Sequence, residues 1–109
     1  VVASLKNTLQ NLLSLLVNGE YSEVYRLDVE KRLSAEEIAE SIELWDGKLT
    51  MVPEAVLANA EVYETDFENE YYVDVDLWFD NEVSDLTLSC LIHKQEGEAQ
   101  FSIQNIHVL

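Results

Sequence analysis

Residues 71–79 read Tyr71-Tyr72-Val73-Asp74-Val75-Asp76-Leu77-Trp78-Phe79. Odd positions are apolar, or aromatic in Tyr71 and Phe79. Even positions carry two aspartates, a tyrosine and a tryptophan. Side chains of a strand point alternately to opposite sides, so this period of two makes a β-strand with two chemically different faces. The next segment, Asp85 to His93, repeats the pattern after a loop expected at Asp80 to Ser84. Pairing the two antiparallel sets Phe79 opposite Leu86, Val75 opposite Cys90 and Trp78 beside Thr87. A turn at Gln95 to Glu98 leads into a last strand, Ala99 to Leu109. There Phe101 and Ile103 fall out of phase with Ile106 and Val108. One extra residue near Gln104-Asn105, a β-bulge, restores the phase.

One face then carries Tyr71, Val73, Val75, Leu77, Phe79, Leu86, Leu88, Cys90, Ile92, Phe101, Ile103, Ile106 and Val108. It is apolar and must be covered. The other face carries Tyr72, Asp74, Asp76, Trp78, Asp80, Thr87, Ser89, Leu91, His93, Gln100, Ser102, Gln104 and His107.

Upstream the period changes from two to that of a helix. Val2, Leu5, Leu9, Leu12, Leu13 and Leu16 form one apolar stripe, which ends at Asn18-Gly19. Residues 20–27 make a short second helix. Ser34 with Glu37 is a capping box, and Leu33 with Ile38 a hydrophobic staple. They start a third helix whose inner stripe is Ala35, Ile38, Ala39, Ile42 and Trp45, closed by Asp46-Gly47. Leu49 to Val52 and Ala60 to Thr65 are short strands. Between them Pro53 to Asn59 is one helical turn or an extended crossing. The expected fold is α+β: three N-terminal helices on a curved antiparallel sheet of four to five strands, in one domain spanning residues 1–109.

The chain has 22 acidic and 6 basic residues, a net charge of -16. Residues 54–85 hold eleven acids and no base. Such a field repels nucleic acid and anionic lipid, both of which are held by Lys and Arg. It suits a basic protein surface. Acidic surfaces also confer solubility, alone or as a salt adaptation. No apolar run reaches the roughly 18 residues of a membrane span. The single cysteine, Cys90, cannot pair within the chain, which fits a reducing cytoplasm. The chain begins at Val1 without a methionine, so a removed N-terminal segment stays open.

The segment Leu16-Val-Asn-Gly-Glu-Tyr-Ser-Glu-Val-Tyr-Arg-Leu27 resembles the start of nuclear-transport-factor-2-like domains, where a first helix ends at Gly-Asp/Glu-Tyr and a short helix follows. The closing Ala99-Gln-Phe-Ser-Ile-Gln-Asn-Ile-His-Val-Leu109 is similar to that superfamily's last strand. The resemblance points to a small bacterial branch. It implies a cone, a bent sheet wrapped over a long helix, often dimerising through the outer sheet face. Members include isomerases, dehydratases, ligand binders and non-enzymatic scaffolds, so fold does not fix function. The enzymes place ionisable groups inside the cone. Here the inward positions are Val, Leu, Ile, Phe, Tyr71 and Cys90, which departs from the enzymatic pattern.

Serine-nucleophile signatures, phosphate-binding glycine loops and redox cysteine pairs are missing. Two histidines outside any ligand motif give no reason to expect a metal, and the spacing of Asp74, Asp76 and Asp80 is not that of a calcium loop. No cofactor is expected. The leading expectation is a non-catalytic protein that engages a basic partner through Tyr72, Asp74, Asp76, Trp78, Asp80, His93 and His107. An immunity protein against a basic toxin is one version. The first alternative is a small-molecule or enzymatic pocket lined by Tyr21, Tyr25, Trp45, Tyr71 and Cys90. The second is a structural homodimer joined through the outer sheet face.

Overall fold

A computed structural model describes residues 3–95 and 98–109. Val2 of the first helical stripe, and Glu96 and Gly97 of the last turn, lie outside the described residues. Helix α1 (Ala3–Val17) buries Leu5, Leu9, Leu12, Leu13 and Leu16 completely or nearly so. Removing such a side chain from water contributes about 1.5–3 kcal/mol, so this stripe is what holds α1 on the sheet. Gly19, at φ 71°, ends the helix, and the Glu20 N–H closes back on the Leu15 carbonyl. Helix α2 (Tyr21–Leu27) follows directly.

Helix α3 (Ala35–Glu43) starts with the expected capping box: Ser34 Oγ accepts from the Glu37 N–H, and Glu37 accepts from the Ser34 N–H. It ends sooner than its apolar stripe suggested. Trp45 lies beyond it, half-buried, with its ring 6.0 Å from that of Phe79. Strand β1 (Leu49–Thr50) is only two residues long, and Pro53 to Asn59 resolves into the short helix α4 (Glu54–Ala58). Lys6 of α1 pairs with Glu54 of α4 and holds the Glu54 carboxyl below its usual range.

Strands β2 (Glu61–Glu64), β3 (Glu70–Phe79), β4 (Glu82–Gln95) and β5 (Glu98–Val108) complete a five-stranded antiparallel sheet. In it β3, β4 and β5 lie side by side, and both β1 and β2 pair with β3. The helices cover the apolar face. Val73, Val75, Leu77, Phe79, Leu86, Leu88, Cys90, Ile92, Phe101, Ile103 and Ile106 are all buried there. Tyr71 is half-buried, while Val108, at the strand end, is 58% exposed.

The β3–β4 register differs from the expected one by four residues at the hairpin, where Phe79 faces Glu82 rather than Leu86, and by two residues beyond an irregularity of the ladder between Trp78 and Asp76. Val75 faces Leu88 rather than Cys90, and Asp76 rather than Trp78 faces Thr87. The cause is the connection. Phe79 pairs with Glu82, so the loop is Asp80-Asn81 alone, and both have positive φ, 51° and 61°. That is the requirement of a type I′ hairpin turn, and Asp and Asn are among the few non-glycine residues that accept it. A slip of two or four leaves every side chain on its face, so the division into apolar and polar faces survives. The β4–β5 ladder steps from Ser89 opposite Asn105 to Cys90 opposite Ile103, which makes Gln104 the extra residue of the expected bulge.

The free edge of β5 is covered by the loop after α2. Asp28 is 1% exposed. Its Oδ1 accepts from the Glu30 and Lys31 N–H groups at 3.1 and 2.9 Å, and its Oδ2 accepts from the Ile103 N–H at 2.8 Å. The Val29 N–H donates to the Phe101 carbonyl, and the Glu30 N–H to Ser102 Oγ. An edge capped this way cannot template another strand. Among the described residues no helix is long and apolar enough to cross a membrane.

Candidate functional site

The polar face carries Glu61 and Tyr63 from β2, Tyr72, Asp74, Asp76 and Trp78 from β3, and Val83, Thr87 and Ser89 from β4. His107 of β5 faces Thr87. Glu61 pairs directly across from Asp74. Two like charges in that position destabilise a sheet by a fraction of a kcal/mol, up to about 1. Lys and Arg are lacking from residues 54–85, so no cation of the local chain relieves them. Tyr63 donates to Glu61 Oε2 at 2.7 Å. That bond, the Glu61 charge, burial and the Asp74 charge, in this order, hold the Tyr63 phenol above its usual pKa. The rings of Tyr63 and Tyr72 lie 6.5 Å apart.

Each aspartate is fixed from β4. Thr87 Oγ1 donates to Asp76 Oδ1 at 2.9 Å, and Ser89 Oγ donates to Asp74 Oδ1 at 2.5 Å. Both hydroxyl residues are buried, at 2% and 0% exposure, although they lie on the polar face. Ser89 Oγ is also 3.2 Å from His107 Nε2. Aspartate, serine and histidine thus touch, but not as a catalytic triad. A triad needs the imidazole between the acid and the nucleophile to take the nucleophile's proton. Here serine stands between the other two, gives its only proton to Asp74, and accepts from His107. Its oxygen is shut away from any substrate.

A groove of about 470 Å³ opens beside these carboxylates. Glu61, Asp74 and Asp76 line it together with Val56 of α4, Trp78, Val83 and Leu109. Trp78 Nε1 is sheltered from solvent and donates to no atom among the described residues. The groove lies where β3 lacks a strand neighbour. β1 pairs with Phe79 and Trp78, β2 begins pairing at Asp74, and Val75 to Leu77 lie between them.

Of the seven residues expected on one binding face, Tyr72, Asp74, Asp76 and Trp78 line up along β3, and His107 of the edge strand β5 reaches them across β4 through Ser89. Asp80 does not join them. It closes the hairpin turn, its N–H donating to the Lys48 carbonyl at 2.8 Å and its Oδ1 accepting from the Lys48 N–H at 3.1 Å. His93 stands toward the far end of β4, with Nδ1 3.2 Å from Glu70 Oε2 and Nε2 4.0 Å from Glu30 Oε2. Composition foretold the acids, but Glu61 and the groove's apolar wall were not singled out. The signal for Glu61 was its place at an even offset from Tyr63 in a short strand.

The five residues of the alternative pocket do not meet. Cys90 is fully buried among core side chains, which push its thiol up to about 12 by desolvation, with the charges of Asp74 and Asp28 adding to the effect. Tyr25 is 37% exposed and lies under the Lys31 ammonium, 5.6 Å from its ring centre. Trp45 packs on Phe79. Tyr21 and Tyr71 line two separate shallow grooves. The leucines of α1 fill the space that an internal pocket would need. Among the described residues no group of three or more His, Cys, Asp or Glu is placed to hold a metal ion.

A family model described as a domain of unknown function, DUF7668, matches residues 13–109. The chain belongs to that family. No curated protein and no solved structure matches it. The DUF7668 match takes in the sheet, the turn at Asp80-Asn81 and every residue that lines the groove, so the site belongs to the family's own portion of the chain.

Proposed function

We propose that this protein is a non-catalytic binding protein that engages a basic protein partner through the groove on the polar face of its sheet. One observation carries the reading: Glu61, Asp74 and Asp76 crowd one groove without a base, beside the apolar surfaces of Val56, Trp78, Val83 and Leu109. Unrelieved like charge lowers stability, and a partner's cation converts that cost into affinity. The apolar wall excludes water from the contact, and the tryptophan in it is a residue type that often dominates binding energy. A second copy of the chain would bring its own carboxylates against these, which disfavours a homodimer through this face. An immunity-type protein that neutralises a basic toxin has this surface chemistry.

Capture from native lysate at two salt concentrations tests the reading, with Trp78→Ala and Asp76→Asn as comparison baits. A basic protein should be retained at low salt, bind more slowly as salt rises, and be lost from Trp78→Ala. Retention of only neutral or acidic proteins, indifferent to salt, would overturn it.

A further inference from the structure

We infer that the outer edge of β2 receives an extended basic segment of the partner, which pairs antiparallel with Val62 and Glu64 and sets an arginine against Glu61. This rests on the reading of the groove, of which Glu61 is one wall, as the docking site for a basic partner, and it specifies how that partner is held.

The two edges of the sheet are finished differently. Asp28 and its loop close the edge of β5. At the other edge β2 pairs with β3 alone, and no strand, helix or loop backbone of the described residues bonds to its outer side. In an antiparallel strand the N–H and C=O of one residue point to the same side, and successive residues alternate. The Thr65 N–H donates to the Glu70 carbonyl at 3.4 Å, across to the start of β3. Tyr63 and Glu61 have the parity of Thr65 and bond inward. Val62 and Glu64 therefore present their N–H and C=O groups outward, as two successive sites of one ladder. The β3 side agrees. Trp78 presents its carbonyl to the side where Thr50 Oγ1 donates to it at 3.3 Å, and Tyr72 and Asp74, the partners of Tyr63 and Glu61, share its parity. Glu61, Tyr63 and Glu64 are exposed, so solvent reaches this edge.

An open strand edge is a template for an added strand, and charge selects the occupant here. Glu61 and Glu64 make up half of β2, and residues 54–85 hold no Lys or Arg. A second copy would bring its own Glu61 and Glu64 into the same short ladder, where like charges are destabilising. That guards the edge against self-pairing but not against a basic strand. Antiparallel pairing then orders the incoming segment. From its N-terminus its residues lie opposite Glu64, Tyr63, Val62 and Glu61. Those opposite Glu64 and Val62 exchange backbone hydrogen bonds with them. Val62 packs against the core on the helix side of the sheet, which suits an apolar residue opposite it. The residue opposite Glu61 lies on the polar face, at the end of the row Ser89, Asp74, Glu61. A cation there relieves the facing carboxylates. A guanidinium fits best, because it is planar, weakly hydrated and forms paired bonds to a carboxylate.

The test uses a blocked peptide with the central run arginine-threonine-valine-arginine, flanked by threonines. One counterpart is N-methylated at the valine amide, which faces Val62. A second is N-methylated at the threonine between the arginines, whose N–H points away from β2. A third has glutamate in place of both arginines. Amide NMR of the full chain reads the Val62 and Glu64 N–H groups. In the free protein both should exchange rapidly, and the arginine peptide should slow their exchange and shift their resonances. Methylation at valine should weaken binding about tenfold or more, as expected for a lost hydrogen bond and a blocked approach, while methylation at threonine should leave it unchanged. The glutamate peptide should not bind. Protected Val62 and Glu64 amides in the free protein overturn the inference. So does an equal effect of the two methylations, but discrimination against glutamate would then leave the basic docking surface standing. If the arginine and glutamate peptides bind alike, both readings fall. If no peptide binds, the inference falls, and the wider reading rests on the salt-dependent capture alone.

Discussion

Asp28 and the acids around Asp76 lie on opposite sides of the same sheet and spend their charge differently. Asp28 is sealed from solvent, and three backbone N–H groups supply donors to its two oxygens. It joins the loop after α2 to the edge of β5, 75 residues away in sequence. Asp74 and Asp76 each receive one hydroxyl, face another acid or a groove, and pair with no cation among the described residues. A carboxylate saturated by its own chain is a structural part. One held by a single oxygen among other acids keeps like charge unrelieved by its own chain. Net charge does not distinguish the two.

Cys90 feels both regions, since Asp74 and Asp28 add to the burial that raises its pKa from 9.0 to about 12. The sign follows from linkage. The folded thiol binds its proton more tightly than the unfolded one, so this stability is complete below the unfolded pKa and is lost as pH rises toward the folded value. Denaturant melts should therefore show several kcal/mol disappearing between pH 9 and about 12. Tyr21, also raised by burial and the Glu43 charge, adds to the same trend. A Cys90→Ala variant should show a shallower decline; an unchanged slope would mean that the buried thiol is not the group responsible.

Next in size is Asp28→Ala, which leaves three backbone donors without their carboxylate. It should cost about 3 kcal/mol or more in urea melts. A loss no larger than that of an exposed acid would erase the contrast between the two regions. Gly47→Ala should cost about 1–3 kcal/mol, because φ there is +99° and a Cβ would fall 2.6 Å from Asp80 Oδ2. Thermal unfolding would measure it, and an unchanged midpoint would show that the turn yields freely.

The smallest effect has the opposite sign. Glu61→Gln removes one of two facing charges and should stabilise the fold by about 0.2–1 kcal/mol while weakening capture of a basic partner. Destabilisation would mean that Glu61 is a structural acid like Asp28. Raising salt from low to moderate concentration should lift the wild-type melting midpoint, and lift that of Glu61→Gln less.

The faces of the sheet were legible because period-two alternation is local and insensitive to a two-residue slip. Helix α1 was legible from its leucines, and α3 from Ser34 and Glu37. The β3–β4 register was not, because nothing in Asp80-Asn81 announces positive φ in the way Asn-Gly does. Asp28 was invisible for another reason. Its partner Ile103 is brought near only by the folded sheet, and an acid beside Leu27 and Val29 reads as ordinary loop. The groove depends on β1 and β2 sharing one edge of β3, a pairing that no short-range pattern encodes. Trp78 stood out by chemistry alone, as a large aromatic among acids.

The two-residue turn after β3 also bears on the order of assembly. Residues 70–108 form a meander of three strands, each paired with its neighbour in sequence, so those contacts close short loops and form early. The leucines of α1 emerge from the ribosome first, yet their cover is made last. A nascent chain halted before residue 70 should therefore present a sticky helix to chaperones. A chain halted there that stays free of them would place the first folding events in the N-terminal half.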